Sequence, residues 1–296
     1  MAEIRKVGVL GCGLMGHGIT QVAAQAGYEV VVREVDDASL AKGLAKIDQQ
    51  LAKAVRRKRM AEKEADAIRA RIHGTTDYAD LAGSDLVVEA ITEDLALKLE
   101  MWKAVDEVVE PAAFFATNTS SLAVISQAAA TSRPERFLGL HFFNPVQIMK
   151  LLEVVRCVTT SEQALEVGME FGARLGKLTI STKDTAGFIV NRLLIPYLVD
   201  GIRAFEEGVG SIAQIDAAMQ AGAGHPMGPL TLSDFIGLDT VGAMCDVFFD
   251  EFRERRFAAP PTLRKMLAAH WYGLKSGIGF YDYSGPEPVE NPGLAR

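Results

Sequence analysis

The stretch Lys6-Val-Gly-Val-Leu-Gly-Cys-Gly-Leu-Met-Gly-His-Gly18 decides the fold. Its first five residues form a short, valine-rich apolar run of the kind that makes a strand buried on both faces. A G-x-G-x-x-G pattern follows at once in Gly11, Gly13 and Gly16, and a helical pattern then runs from Ile19 to Ala26 with Gly27 as its stop signal. In such a strand–turn–helix unit the first glycine permits the tight turn, the second lets the backbone approach a pyrophosphate, and the third lets helix and strand pack closely. The helix N-terminus presents free N–H groups and a partial positive charge to the phosphates. Leu14 and Met15 lie inside this turn and join the glycines as expected cofactor contacts. A second strand, Glu29 to Glu34, ends in an acid about 20 residues beyond the turn, where a carboxylate accepts hydrogen bonds from the ribose hydroxyls. Its charge repels a 2′-phosphate and favours NAD. Arg33 beside it pulls the other way, because an arginine here can accommodate NADP.

Outward from this unit, β-branched runs alternate with helical patterns, the signature of βαβ units on a parallel sheet. Ala38 to Arg71 is rich in Ala, Lys, Glu and Arg and free of Pro, predicting one or two helices. Strands are expected at 85–89, 113–117, 138–143, 151–155 and 178–181, and helices at 95–109 and 162–175. From Gly187 onward the pattern is mostly helical, broken by Gly and Pro clusters at 208–210, 222–229 and 259–261. The expected fold is therefore α/β: a Rossmann-type doubly wound sheet over residues 1–182, followed by a smaller all-helical domain over residues 183–296. Lys183-Asp184-Thr185 is the expected junction. Three prolines from Gly285 onward predict a loose tail.

The composition is that of an ordinary globular protein. The chain has 296 residues, 49% hydrophobic and 23% charged, with a net charge of −7, so no global field favours nucleic acid. Cys12, Cys157 and Cys245 are an odd, widely spaced set that suits a reducing compartment and offers no metal-binding spacing. Met1 to Lys6 is polar and Val7 to Leu10 is too short for a signal-peptide core. The apolar stretch 187–199 is interrupted by Asn191, Arg192 and Pro196, so no membrane span is expected and the cytoplasm is the expected location.

Two further segments end expected strands, at the edge where open α/β sheets place ligands: Ala116-Thr-Asn-Thr-Ser-Ser121 and Gly139-Leu-His-Phe-Phe-Asn-Pro145. Of five histidines, His141 alone sits on an apolar strand at its carboxyl end. Glu153 is a lone carboxylate inside the apolar run Leu151 to Val155, which is costly without a donor or cation beside it. A His141–Glu153 dyad would fix the imidazole tautomer and stabilise the imidazolium.

Five segments together resemble the L-3-hydroxyacyl-CoA dehydrogenase family, and within it the short, single-function 3-hydroxybutyryl-CoA members. They are Gly11 to Gly16, Asn118-Thr-Ser-Ser121, His141-Phe-Phe-Asn-Pro145, Gly187-Phe-Ile-Val-Asn-Arg192 and His225-Pro-Met-Gly-Pro-Leu230, within a similarity running from about Ile4 to Tyr283. The resemblance implies an NAD-dependent interconversion of 3-hydroxyacyl-CoA and 3-ketoacyl-CoA. It places the catalytic histidine on His141, its orienting glutamate on Glu153, a substrate-contacting serine on Ser120 and an asparagine on Asn191. It adds Glu93, Lys98, Ser120, Asn144 and Lys275 as cofactor contacts, and a homodimer formed through the helical domain. Ser120 could equally cap a helix opening at Ser121-Leu122, and Asn191 could be a satisfied polar residue at a domain interface. A 3-hydroxyadipyl-CoA, a sugar acid or a non-catalytic NAD-binding role stay open as alternatives.

Two positions depart from the family pattern. Cys12 stands where a smaller residue is usual and adds a thiol open to oxidation, and Glu34 stands where Asp is usual. The basic run Lys53, Arg56, Arg57, Lys58 and Arg59 reads either as a clamp for the phosphates of coenzyme A, with Lys53 and Arg57 on one helix face, or as a solvated face pairing with Glu62 and Glu64. The apolar stripe Ile189, Leu193, Leu194, Tyr197 and Leu198 reads as core or as a partner-facing seam.

Overall fold

Residues 3–294 are described by a computed structural model of the chain. They divide into two compact units, one ending at Phe188 and one beginning at Ile189.

In the first unit the order is β1 (Lys6–Leu10), α1 (Gly16–Gln25), β2 (Glu29–Arg33), α2 (Asp37–Arg56), α3 (Glu62–Ala70), β3 (Ile72–Thr75), β4 (Leu86–Glu89), α4 (Leu95–Val108), β5 (Phe114–Thr117), α5 (Val124–Ala128), β6 (Phe137–Phe142), β7 (Leu151–Arg156), α6 (Glu162–Arg174) and β8 (Leu178–Lys183). The strands form one sheet in the order β3-β2-β1-β4-β5-β6-β7-β8. The first six follow the 3-2-1-4-5-6 order of dinucleotide-binding sheets, with the reversal between β1 and β4 opening a crevice at their carboxyl ends. Alternate residues feed two cores. Val7, Val9 and Val88 pack with α1 residues such as Ile19 on one face. Leu10, Val87 and Phe115 pack with Trp102 of α4 on the other.

One pairing breaks the expected parallel pattern. β7 runs antiparallel to β6, with His141 directly opposite Glu153. The connection between the two strands spans residues 143–150 and includes a cis Asn144–Pro145 peptide. A parallel return needs a crossover of a dozen or more residues, so so short a link can only turn back. β3 was not expected either: Ile-His-Gly-Thr carries little strand signal, and it forms an edge strand paired only to β2. The junction also lies later than expected. Asp184 belongs to the first unit, where its carboxylate accepts from Val124 N at 3.0 Å and Ile125 N at 2.8 Å and so caps α5.

The second unit contains α7 (Val190–Glu206), α8 (Ile212–Ala223), α9 (Pro229–Ile236), α10 (Leu238–Phe252) and α11 (Pro261–Ala268), followed by a small antiparallel pair, β9 (Tyr281–Asp282) and β10 (Val289–Glu290). The chain expected to be a loose tail is therefore tied down as far as it is described. Asn291 is buried and donates to Gly279 O at 2.7 Å, and Glu290 accepts from Ser211 Oγ and Ala213 N at the start of α8. Ala295 and Arg296 of that segment, like Met1 and Ala2, lie outside the described residues. The stripe on α7 is divided: Leu198 is core, whereas Leu193 and Ile189 are exposed. No described helix is long and apolar enough to cross a membrane.

Candidate active site

The glycines of the first turn act as their spacing requires. A Cβ on Gly16 would lie 1.8 Å from the carbonyl oxygen of Gly11, so α1 can start this close to β1 only with glycine there. Gly11 has φ +90°, in the left-handed region. A Cβ on Gly13 would meet nothing within 4 Å, because Gly13 faces a cavity of about 750 Å³. α1 begins at Gly16, three residues earlier than expected, and no side chain caps its N-terminus. Of its first-turn N–H groups, that of His17 reaches Gly13 O at 3.4 Å, and no side chain takes any of them from a ligand. Glu34 lines the same cavity, its carboxylate accepting from Cys12 N at 2.6 Å and Val35 N at 3.0 Å. An open space over Gly13, an uncapped helix start and an anchored acid on the cavity wall fit a dinucleotide. Leu14 and Met15 also line it, as does Arg33, which lies over the Tyr78 ring at 4.0 Å. Cys12 corrects an expectation. The thiol is 1% exposed and burial pushes its pKa up to about 12, so it is a packed, unreactive thiol rather than an oxidisable one.

At the carboxyl end of β6, His141 Nδ1 lies 2.7 Å from Glu153 Oε2, with both side chains buried. Antiparallel register makes this pair: opposite residues of the two strands face the same side. A carboxylate only accepts, so Nδ1 carries the proton and Nε2 keeps its lone pair. Nε2 has no protein partner among the described residues. Phe143 and Phe188 pack at 4.5 and 5.4 Å from the imidazole and limit its rotation. Asn118 ties the adjacent strand end to this one by accepting from Phe142 N at 2.9 Å.

Between these two places lies an ionic network. Glu93 accepts from Ser120 N and Ser121 Oγ, each at 3.1 Å, and from Thr119 Oγ1. Lys98 is 1% exposed; its ammonium is 2.7 Å from Glu89 Oε1 and 2.9 Å from Glu93 Oε2. Desolvation raises the Glu89 pKa against the opposing pull of Lys98, while Lys98, the Thr119 hydroxyl and the Ser120 N–H hold that of Glu93 down despite its burial. Lys98, expected as a cofactor contact, thus spends its charge on two carboxylates. Ser120 does not cap a helix: α5 starts at Val124, and Thr119 Oγ1 receives the N–H groups of Ser121 and Leu122. The Ser120 hydroxyl has no protein partner among the described residues. Sequence reasoning passed over Glu89 and Thr119; an acid closing the strand Leu86–Glu89 was the available signal for the first.

Asn144 is exposed at the end of the same run. Lys53 and Arg57 are exposed at the end of α2, and neither pairs with Glu62, Glu64 or any other described side chain. Asn191 and Lys275 belong to the second unit, Asn191 on the first turn of α7 and Lys275 paired with Asp239.

A dinucleotide-binding sheet whose ligand edge carries an oriented imidazole with a free nitrogen defines an NAD-dependent oxidoreductase. Residues 6–185 match the family domain described as 3-hydroxyacyl-CoA dehydrogenase, NAD binding domain, and residues 187–283 match the 3-hydroxyacyl-CoA dehydrogenase, C-terminal domain. The chain belongs to the 3-hydroxyacyl-CoA dehydrogenase family. It is 45% identical over 282 residues to a 3-hydroxybutyryl-CoA dehydrogenase of Mycobacterium tuberculosis, covering 95% of this chain and 99% of that protein. It is 44% identical over 287 residues to the mitochondrial hydroxyacyl-coenzyme A dehydrogenase of Homo sapiens, covering 95% and 91%. The crystal structure of (S)-3-hydroxybutyryl-CoA dehydrogenase from Ralstonia eutropha superposes with a TM-score of 0.93 at 40% identity, covering 96% of this chain and 100% of that one.

Proposed function

We propose that the protein interconverts (S)-3-hydroxyacyl-CoA and 3-ketoacyl-CoA with NAD, preferring the short 3-hydroxybutyryl-CoA/acetoacetyl-CoA pair. The observation that carries this is the buried His141–Glu153 pair, which leaves one imidazole nitrogen unclaimed at the ligand edge of the sheet. His141 Nε2 takes the proton of the substrate's 3-hydroxyl during oxidation and returns it during reduction. Glu153 stabilises the imidazolium so formed and holds the ring in its tautomer. Bound NAD supplies the two-electron acceptor for the hydride that leaves C3. Ser120 and Asn191 hydrogen-bond the reacting oxygen or the thioester carbonyl and hold C3 in position.

Gly11, Gly13, Leu14, Met15 and Gly16 cradle the pyrophosphate, and Glu34 receives the ribose hydroxyls. Glu93, held by Lys98, fixes the backbone of Ser120, and Asn144 and Lys275 complete the cofactor contacts. Lys53 and Arg57, exposed and unpaired, take the phosphates of coenzyme A. The first unit, ending at Phe188, serves as the cofactor domain, and the second, beginning at Ile189, as the substrate and dimerisation domain. Support for a homodimer comes from Leu193 and Phe235, apolar and exposed on the second unit. Three buried, unbridged cysteines favour a reducing, cytoplasmic setting.

The test is NADH oxidation with acetoacetyl-CoA, longer 3-ketoacyl-CoA thioesters, a 3-ketoadipyl thioester and a CoA-free keto acid. Acetoacetyl-CoA should turn over fastest. Absence of turnover with every CoA thioester would overturn the reading.

A further inference from the structure

One aromatic side chain beside the imidazole stands where its backbone favours glycine. Phe188 has φ +49°, in the left-handed region that brings an L-residue's Cβ too close to the following carbonyl, and Gly187 before it has φ +76°. The segment that holds Phe188 is moored along its length. Asp184 accepts from the N–H groups of Val124 and Ile125, and Phe188 N donates to Thr185 O at 2.9 Å. The Phe188 ring is 4% exposed, in the core that also contains Val87, Phe115 and Val124. Glycine fills the first of the two left-handed positions but not the second, so at the second the contacts of the ring outweigh the backbone cost. One of those contacts is the imidazole of His141, 5.4 Å away between ring centroids and at 55° between planes. Phe143 also touches it, but lies two residues beyond His141 and follows the same strand end. Phe188 arrives from beyond β8 and is fixed by anchors of its own.

We propose that Phe188 is a positioning residue for the reaction: its strained turn holds the ring as a fixed stop that keeps Nδ1 of His141 on Glu153 and Nε2 at the ligand edge. This rests on the reading of His141 as the base and extends it. The hydrogen bond to Glu153 fixes one atom of the imidazole, and a ring pinned at one atom still pivots about it. A flat, buried face with independent anchors removes that freedom. The strain in the turn is then the cost of placing a ring, rather than a smaller side chain, against the base.

The experiment compares Phe188→Leu with Phe115→Leu. Phe115 is fully buried in the same core but stacks on Trp102, at 5.0 Å between centroids. Both substitutions remove a core ring, so a purely structural role predicts parallel losses. Only Phe188→Leu should lower kcat with acetoacetyl-CoA, by about tenfold to 10²-fold, with KM and the Kd for NADH within about twofold of wild type. Long-range ¹⁵N–¹H correlation should show one protonated and one bare nitrogen on His141 in the wild type and in Phe115→Leu. In Phe188→Leu the two shifts should move toward their mean as the tautomers mix. Phe188→Met gives the same reading should the leucine variant not fold. Unchanged kcat and nitrogen shifts in Phe188→Leu, or equal losses in Phe115→Leu, overturn the positioning role. A wild-type His141 with its proton on Nε2 overturns the base reading itself, so the two failures are told apart.

Discussion

Glu153 and Asp234 are both carboxylates sealed from solvent, at 0% and 1% exposure, and they serve different ends. Asp234, on α9 of the second unit, accepts from Phe280 N and Tyr281 N at 2.9 Å each and from Tyr283 Oη at 3.1 Å. Its capacity is spent on fixing the C-terminal segment to that helix. Burial raises its pKa to about 6, against the lowering effect of those donors. Glu153 instead accepts from an imidazole, and that ring keeps its other nitrogen unclaimed. Burial and a perturbed pKa therefore do not by themselves mark a catalytic acid. What separates the two carboxylates is whether the chain of hydrogen bonds ends inside the protein or at an atom a substrate can reach.

Four variants separate the two carboxylates and the groups around them. His141→Gln should lower turnover with acetoacetyl-CoA by about 10²–10⁴-fold while leaving the Kd for NADH nearly unchanged, as measured by steady-state rates beside a binding titration. Near-normal turnover would contradict the base role of His141. Glu153→Gln should lower kcat on the order of 10²-fold, because the amide no longer dictates which imidazole nitrogen is protonated.

Asp234→Asn should leave kcat close to wild type but cost about 1–3 kcal/mol of stability, read from the urea midpoint. It should also flatten a pH dependence. A carboxyl whose pKa is about 6 folded and ~3.9 unfolded favours the folded state most below the unfolded value. That stability is lost as pH rises from about 4 to about 6, and the asparagine variant should lack this slope. The smallest effect is expected from Lys53→Ala with Arg57→Ala: a several-fold rise in KM for acetoacetyl-CoA, at about 0.2–1 kcal/mol per exposed contact, and none for a pantetheine thioester. Equal effects on both thioesters would remove the phosphate clamp.

Much of the ligand edge was legible in the chain because it rests on local rules. A glycine pattern between strand and helix, an acid closing the next strand and a lone carboxylate in an apolar run each have few physical solutions. What escaped was non-local or weakly encoded. β3 is built from Ile-His-Gly-Thr and owes its place to β2 rather than to its own propensity. The direction of β7 was encoded in the shortness of the preceding link, a constraint of chain geometry rather than of composition. The pairing of Lys98 with Glu89 joins a helix to a strand end across an intervening loop, so no periodicity announces it. The segment from Gly285 looked loose from its prolines, yet the Asn291 amide and the Glu290 carboxylate hold it through hydrogen bonds that composition does not reveal.

His141 presents an unprotonated Nε2 because Glu153 holds the proton on Nδ1. Long-range ¹⁵N–¹H correlation of the histidine ring nitrogens, assigned with His141→Gln, reads this directly in the free protein at mildly alkaline pH. Nδ1 should resonate as the protonated nitrogen and Nε2 as the bare one. The reverse assignment, with the proton on Nε2, would contradict the base role of His141.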